Sequence, residues 1–458
     1  MHSITKAIVL RVRGLAVAGI MLAFAQTAMA QVPQDVRWLR VGELRSWYSN
    51  YGCEMEIGRT GQATEQNDGM YWPQEFPWQN NEAGKAMWIG TTNYFDKVLN
   101  TTVLHKVVAV GPRTADPVGE LMPVSFKMYG RYLAPNVVVD GQTATDNAFN
   151  DLVDEQVDTL KADRMIENVL NTSIGITVRR RLMAFSQQDH NNYFIYEYIL
   201  KNTGIVDNKG TVDSKTLTGV VLFFQYRYAF GNEAFRRGWY PSNHIDWGRN
   251  AMDQVIGTNP LAPGFDLRAQ YSWYGKDSQS PIPDDIGLPY STADGHLAAV
   301  HYVGTVTLHA DKSATDKSDD PAEPTTTHYV GNDTGPQTNN QFDPTQMTRK
   351  YQAMTSGHAS PTQADAVGNG YADLWGSDAG GYAQGKGYGP YTLAPGDSIR
   401  IVLAEGVAGL CRDSAFTIGK HWLDGIQGRQ TYLLSRTAQR HPIRMYTRMR
   451  GFRQVSIH

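Results

Sequence analysis

The chain has 458 residues, with 42 basic and 45 acidic side chains and a formal net charge of −3 at pH 7. Hydrophobic residues make up 41% of the sequence, which excludes global disorder, and the length is sufficient for a large core. The 44 glycines and 24 tyrosines favour many strands joined by tight turns, because glycine accepts positive φ and aromatic side chains pack well on pleated surfaces.

Residues 1–30 predict a secretory signal peptide. Three basic residues precede an apolar run that begins at Leu15, and Ala28 and Ala30 stand at the spacing of a cleavage site. The run is about half as long as the roughly 20 residues that a membrane-spanning helix needs. We therefore expect cleavage after Ala30, no transmembrane segment in the mature chain, and export to the periplasm, the cell surface or the medium.

Cleavage there would leave 39 basic and 45 acidic residues, a charge of about −6 that is unevenly distributed. Residues 31–410 carry about −13, whereas the segment 411–458 is basic. The basic segment is interpreted either as a solvated terminal face or as a docking surface for an anionic envelope or a partner protein.

After the signal peptide, residues 31–100 are dense in aromatic side chains and contain half of the ten tryptophans. Prolines, glycines and asparagines interrupt this segment, which favours short strands and loops that wrap a domain. From about residue 101 to 410, short runs rich in β-branched and aromatic residues end in turn formers and predict β-strands.

Two strands in this region are especially clear. Residues 191–204 alternate Tyr193 and Glu197 on one face with bulky aromatics on the other, so this strand is predicted to be central. It is expected to pair as a long-loop hairpin with the run at 217–230. Further strands are predicted near 296–310 and 397–409.

Four other segments are not predicted to be strands. Residues 146–171 predict a surface helix, and a second helix is plausible at 417–436, ahead of a basic tail. The polar segment 311–341 predicts an exposed or disordered insert, and 368–390 reads as a glycine-rich connection. The fold class that follows is all-β: a large β-sandwich, as one unit or two packed lobes, with a few peripheral helices.

Several short runs resemble parts of a broad set of secreted bacterial β-sandwich proteins of no known activity. The runs are YWPQEFPW, AMWIGTTNYFD, FIYEYILKNTG, KYQAMTSG and GPYTLAPGDSIRIVLAEGVAG, scattered over residues 70–410. The resemblance implies an exported β-sandwich. Proteins of this kind often carry Asp-x-Asp residues suited to calcium after the Asn-Thr-Gly turn, but this chain reads LFFQYRYAFGNEAFRRGW there and departs from that pattern.

Cys53 and Cys411 are the two cysteines of the chain. In an oxidising compartment they can form a disulfide that ties the two ends of the chain together, or they can remain two buried thiols.

Two carboxylates are candidates for catalysis. Glu197 and Glu405 each alternate with apolar residues in a predicted strand, and two carboxylates in one cavity would suit a glycoside hydrolase or lyase. Buried carboxylates also pair with arginines, and those available for structural ion pairs include Arg179, Arg180, Arg181 and Arg400.

Exposed aromatic rings in the N-terminal segment favour carbohydrate binding, and Trp72, Trp78 and Trp88 are the candidate ligand-binding residues. The other interpretation is that these rings pack in the core. The segment lacks the interleaved basic residues that nucleic-acid binding requires, so no nucleic-acid partner is predicted.

No cofactor is predicted, although calcium is possible. The weak calcium candidates share a segment near residue 370, and their spacing matches no EF-hand loop: Asp365, Asn369, Asp373 and Asp378. No HExxH, GxSxG or Walker-type motif is present in the sequence. The sequence thus favours an exported, noncatalytic protein with a surface, matrix or carbohydrate-binding role, and leaves a glycan-active enzyme as the second hypothesis.

Overall fold

The computed structural model describes most of the chain after residue 34. The described residues are 35–54, 69–74, 81–111, 120–133, 138–143, 151–228, 238–239, 243–244, 250–258, 264, 266–276, 278, 287, 295–297, 299–331, 335–336, 342–377 and 381–427. The predicted signal peptide, Trp78 and the basic tail beyond 427 lie outside these ranges.

The described residues are mostly in strands, which confirms the predicted all-β class. In chain order the strands are β1 (Val36–Val41), β2 (Leu44–Ser49), β3 (Glu82–Asp96), β4 (Thr101–Val110), β5 (Leu121–Gly130), β6 (Val138–Val139), β7 (Gln142–Thr143), β8 (Glu155–Gln156), β9 (Arg164–Thr172), β10 (Ile176–Ala184), β11 (Tyr193–Asn202), β12 (Leu217–Tyr228), β13 (Gly238–Trp239), β14 (Asn243–His244), β15 (Asn250–Thr258), β16 (Asp266–Tyr274), β17 (His301–Ala310), β18 (Thr326–Gly331), β19 (Tyr382–Leu393) and β20 (Ser398–Gly409). The helices are α1 (Pro344–Met354), α2 (Gln363–Val367) and α3 (Arg412–Gln427), with a kinked 3₁₀ segment at Ala372–Ser377.

Two large sheets form a β-sandwich. One has nine strands in the order β15-β16-β17-β20-β11-β10-β9-β5-β8, and the other has five in the order β18-β19-β12-β3-β4. Neighbouring strands are antiparallel except β5 and β8. The inner faces of both sheets contribute to one continuous hydrophobic core, and the described residues belong to one compact unit, so the architecture is a single sandwich.

Side-chain alternation explains the position of each strand in the sandwich. Along β10, Val178, Arg180 and Leu182 point into the core, whereas Arg179 and Arg181 point to the outer face. The same alternation in β11 puts Tyr196 and Tyr198 inside. A strand with bulky residues on both faces therefore lies in the middle of the nine-stranded sheet, as predicted.

The predicted hairpin between residues 191–204 and 217–230 is wrong. β11 pairs with β10 and β20 in the larger sheet, whereas β12 pairs with β3 and β19 in the smaller one. The long loop between the two runs allows the chain to cross from one sheet to the other. The two strands consequently face each other across the core, where Phe224 and Tyr198 have ring centroids 4.8 Å apart.

Two other sequence predictions also fail. The predicted helix at 146–171 contains β8 and β9, because Ile166, Asn168 and Leu170 alternate inward with period two between β5 and β10. The glycine-rich segment 368–390 includes most of β19, an internal strand of the five-stranded sheet.

The remaining segments differ in smaller ways. The polar segment 311–341, predicted as an insert, contains β18. The N-terminal aromatic segment, predicted to wrap the domain, contains β3, which is an internal strand of the five-stranded sheet. The C-terminal helix is α3, which begins five residues before the predicted start.

Glycines in β19 let α1 lie close to the outer face of the five-stranded sheet. A Cβ at Gly387 would collide with the carbonyl oxygen of Met354 at the end of α1 and come within 3.4 Å of the Phe223 ring. At this position a hydrogen atom is the largest side chain that the packing accepts.

Candidate functional site

The two predicted catalytic carboxylates lie on opposite faces of one sheet. In the β11–β20 ladder Glu405 is opposite Phe194, whose ring is in the core, and Glu197 is opposite Val402, which belongs to a cluster on the outer face. Because successive side chains of a strand point to opposite faces, Glu197 and Glu405 cannot share a cleft. The paired-carboxylate arrangement proposed for these two residues is therefore wrong.

Glu197 belongs to a ladder of ion pairs on the outer face of the nine-stranded sheet. Its carboxylate oxygens lie 2.6 Å from Arg400 Nε and 3.2 Å from a terminal nitrogen of Arg181. Arg181 and Arg179 in turn bind Glu167 of β9 at 2.9 and 2.5 Å. Opposite charges on adjacent strands stabilise their pairing, so the structural interpretation of Glu197 fits this geometry.

Glu405 belongs to a different group of charges, inside the sandwich. Lys85 Nζ lies 2.8 Å from Glu405 Oε2 and 3.8 Å from Glu54 Oε2, and Arg180 lies 3.0 Å from Glu54 Oε1. Tyr228 donates a 2.6 Å hydrogen bond to Glu405 Oε1. All of these side chains are almost fully buried.

Burial governs the protonation of this internal cluster. Burial raises the pKa of Glu82 well above its usual range, with Glu405 and Glu54 adding to the effect. Burial also raises the pKa of Glu54, against the opposing charges of Lys85 and Arg180. For Lys85 burial favours the neutral amine, but Glu405 and Glu54 outweigh it and raise the pKa. The carboxyl groups of Glu54 and Glu405 face the cations of Lys85 and Arg180, which limits the cost of burying them.

Two of the three tryptophans predicted to bind ligand are buried. Trp88 has no exposed surface; it stacks on Phe223 at 5.1 Å, and the ammonium of Lys350 lies 3.9 Å from its ring centre. Trp72 is 6% exposed and packs edge-on against His301. Neither ring presents a face to a sugar, so their prediction as binding residues is wrong. Trp78 lies outside the described residues.

No disulfide joins the two cysteines. Cys53 is buried in the core, where its sulfur lies 3.5 Å from Ser49 Oγ. Cys411 is exposed at the start of α3, and its sulfur lies 3.2 Å from Ser414 Oγ. The predicted bridge is wrong because one cysteine is packed inside the sandwich and the other is at its surface.

The calcium candidates near residue 370 do not converge in the part of the chain that the structure describes. Asp373 accepts hydrogen bonds from the backbone and hydroxyl of Ser278, and the Asn369 carbonyl accepts one from Lys276. Asp365 lies in the first turn of α2, and Asp378 is outside the described residues. Among described residues no group of three or more His, Cys, Asp or Glu side chains is placed to hold a metal.

A polar pocket lies at the seam of the sandwich, where edge strand β15 of one sheet approaches edge strand β18 of the other. Its free interior is about 10 Å³, the room that one water molecule needs, and a wider mouth opens from it to solvent. Its lining comes from β15, β16, β18 and the segment leading into α2: Met252, Asp253, Gln254, Gln270, His328, Tyr329, Ala359, Thr362 and Gln363.

Hydrogen bonds fix the walls of this pocket. Gln363 accepts from the backbone N–H of Met252 at 2.7 Å and so attaches α2 to β15. Gln254 donates to the Ala359 carbonyl at 3.1 Å, and Gln270 donates to the His328 carbonyl at 2.9 Å. These three amides hold the two edge strands and the helix together around the opening.

Two hydrogen-bond acceptors in the pocket could accept a further hydrogen bond. Gln270 is 4% exposed, and its side-chain carbonyl oxygen is buried without a hydrogen-bond partner. Burial raises the pKa of Asp253, and Tyr271 donates to this carboxyl group at 3.3 Å. A buried acceptor without a partner is costly, so this amide oxygen suits a ligand or water that donates to it.

One lining residue, Tyr329, packs against two aromatic rings outside the lining, Trp375 of the 3₁₀ segment and Tyr382 of β19. Trp375 lies 5.0 Å from Tyr329 and 4.7 Å from Tyr382, with edge-to-face geometry in both pairs. Tyr329 and Trp375 are half-buried, so each ring keeps some exposed surface. The sequence prediction did not include Trp375, because the glycines around it were interpreted as a connection between strands. The signal that could have found it is three aromatic residues close together in this segment, Tyr371, Trp375 and Tyr382.

The chain matches no protein-family model, and no curated protein matches it. Among the described helices, none combines the length and apolar character that crossing a bilayer requires.

Proposed function

We propose that this is an exported, noncatalytic carbohydrate-binding protein, and that one sugar unit of a glycan binds at the mouth of the seam pocket. The observation that carries the proposal is the buried, unpartnered amide oxygen of Gln270, beside the Asp253 carboxyl group and the Tyr329 and Trp375 rings. A sugar offers hydroxyl donors to such oxygens and an apolar ring face to aromatic side chains.

The shape of the pocket favours contact at its mouth. Its free interior of about 10 Å³ lies far below the roughly 300–1,000 Å³ of pockets for drug-sized molecules, so a sugar ring would rest on the open mouth and reach inward with one hydroxyl group. The open side lets the rest of the glycan extend into solvent.

The noncatalytic part of the proposal follows from the carboxylates. Glycoside hydrolysis needs two carboxyl groups on either side of one bond. Glu197 and Glu405 are each engaged by cations on separate faces of the sheet. The pocket instead offers amides, one carboxyl group and aromatic rings, which suit binding.

A glycan array with the purified protein, followed by calorimetry on the best ligand, tests the proposal. We expect Trp375→Ala and Asp253→Asn each to weaken the affinity at least tenfold, because they remove an aromatic wall and a charged acceptor. Tyr132→Ala, which removes an aromatic ring that is 64% exposed, is the matched control and should bind like wild type. A blank array, or equal affinity for all four proteins, would reject the pocket as a glycan site.

Export is tested separately. Expression of the full chain in a bacterium should give a mature protein that begins at Gln31, as read by N-terminal sequencing of the periplasmic or secreted fraction. Retention of residues 1–30 in the cytoplasm would contradict this part of the proposal.

A further inference from the structure

Lys85 and Glu405 face each other across the core from different sheets. Lys85 lies on β3 of the five-stranded sheet, and Glu405 lies on β20 of the nine-stranded sheet. The ammonium nitrogen and one carboxylate oxygen are 2.8 Å apart, and the side chains are 1% and 0% exposed. The two groups are thus held in contact with bulk water excluded.

Each of the two groups has a polar neighbour. Glu54 Oε2 lies 3.8 Å from the Lys85 nitrogen and has no hydrogen-bond partner of its own, so a shift of less than about 1 Å would bring the two into hydrogen-bond contact. Tyr228 donates a 2.6 Å hydrogen bond to the second oxygen of Glu405. The ring centre of Tyr196 lies 3.9 Å from the same nitrogen and closes the site on another side. A nucleophile with a nearby base, and a carboxyl carbon with a hydrogen-bond donor on its oxygen, is the arrangement that acyl transfer requires.

We propose that Lys85 Nζ and Glu405 Cδ form an intramolecular amide bond that joins the two sheets covalently. Nζ attacks the Cδ atom, the Cδ–Oε2 bond breaks, and Oε2 leaves as water with two of the three ammonium hydrogens. The third hydrogen stays on the amide nitrogen. The reaction converts an ammonium and a carboxylate into an amide and water, so it requires no oxidant, reductant or co-reactant.

Glu54 and Tyr228 assist the reaction in different ways. Once Glu54 Oε2 closes the 3.8 Å gap to hydrogen-bond distance, it takes a proton from the ammonium, which frees the amine to attack, and passes the proton to the departing oxygen. Tyr228 stabilises the oxyanion that forms on Oε1 during the attack. The carboxylates around Lys85 raise its pKa, which slows the loss of the ammonium proton, whereas burial raises the pKa of Glu54 and makes it a better proton acceptor.

Proximity compensates for that slow step. Reacting groups held at contact distance gain effective concentrations far above those of free solutes, on the order of 10⁵–10⁸ M in well-oriented cases. The product replaces a buried ion pair by a neutral amide, which removes the cost of keeping two charges out of water. It also closes a loop between residues 320 positions apart in the sequence, which restricts the unfolded chain.

Peptide mass spectrometry of the denatured, trypsin-digested protein decides the question. An amide at Lys85 blocks cleavage there, so we expect one branched peptide that joins residues 60–97 to residues 401–412. Its mass should equal the sum of the two linear peptides less one water molecule. Recovery of the linear peptides 60–85, 86–97 and 401–412 in place of the branched one would overturn the proposal, and Lys85 and Glu405 would then form an ion pair only.

Two variants separate the chemistry from the fold. Glu54→Gln removes the proton acceptor, so at least a tenfold loss of branched peptide is expected while circular dichroism stays that of a folded protein. Glu167→Gln changes an outward-facing carboxylate of the same sheet and should leave the yield unchanged. Full cross-linking in Glu54→Gln would overturn the role assigned to Glu54, and equal loss in both variants would overturn the assignment of the reaction to this cluster.

Discussion

The inward arginine of β10 offers the sharpest test of how the core is stabilised. Arg180 is fully buried, binds Glu54 at 3.0 Å and donates to the Ser49 carbonyl at 2.7 Å. Arg180→Met keeps much of the apolar stem but removes the closer of the two cations beside the Glu54 carboxyl group; the Lys85 nitrogen is 3.8 Å away and carries no charge once the proposed amide has formed. Removing one partner of a buried ion pair costs about 3–5 kcal/mol, a large share of the roughly 5–15 kcal/mol of a typical domain.

The cost should depend on pH in a defined direction. Arg180 is one of the charges that lower the pKa of Glu54, so its removal raises a pKa that burial already lifts above the ordinary 4.5. A carboxyl group with a raised folded-state pKa contributes stability that is present below pH 4.5 and lost as the pH rises. The variant should therefore lose more stability relative to wild type at pH 7 than at pH 4.

Urea unfolding followed by fluorescence at both pH values measures these differences. The matched control is Arg181→Met, one residue further along the strand, because Arg181 is 31% exposed and its partners Glu197 and Glu167 also bind Arg400 and Arg179. Breaking this outer pair should cost less than about 1 kcal/mol. The reasoning is refuted if the two variants lose the same stability, or if the loss in Arg180→Met is independent of pH.

Three further outcomes are expected. Gly387→Ala should destabilise the protein by about 1–3 kcal/mol, because its new methyl group meets the end of α1; thermal unfolding equal to wild type would contradict the packing described. Burial lowers the pKa of His301 to about 4, so its NMR resonances should not titrate between pH 7 and 5, and the free energy of unfolding should fall below pH 6.5 as the unfolded histidine takes up a proton. His301→Phe should lose this part of the pH dependence, whereas an NMR titration midpoint near 6.5 in the folded protein would refute the prediction. A thiol reagent should label Cys411 in the native protein and Cys53 after denaturation, whereas the absence of any native labelling would contradict the surface position of Cys411.

The strands could be predicted from the sequence where the alternation is strong. In β11, Tyr193, Ile195 and Glu197 share one face as predicted. The sequence of this strand alternates with a period of two, because its two faces meet different surroundings. The fold class follows from repetition of this pattern along the chain. The sheet to which each strand belongs depends on pairing between distant segments, which is why β11 and β12 were expected to pair.

The helix predicted at 146–171 shows why local pattern was insufficient there. The run contains acidic residues and leucines that also suit a surface helix, and its strand character appears only when Ile166 and Leu170 pack beneath neighbours from β5 and β10. Tertiary pairing overrides a weak local preference in such a segment.

The candidate pocket could not be predicted because no motif links its residues. Asp253 and Gln270 come from neighbouring strands, whereas Tyr329 and Gln363 come from a different sheet and a short helix. Aromatic density pointed to the N-terminal segment instead, but Trp72 and Trp88 are covered by packing. Aromatic residues among glycines, as around Trp375, would have pointed to the proposed pocket more directly.

The ion-pair ladder on the outer face also restricts how the strands can misassemble. A slip of one residue turns every side chain of a strand to the other face. In β10 such a slip would force Arg179 and Arg181 into the apolar interior and push Val178 and Leu182 into water. Three consecutive arginines, of which Arg180 points inward and Arg179 and Arg181 point outward, therefore disfavour a one-residue slip of this strand once the sandwich closes around it.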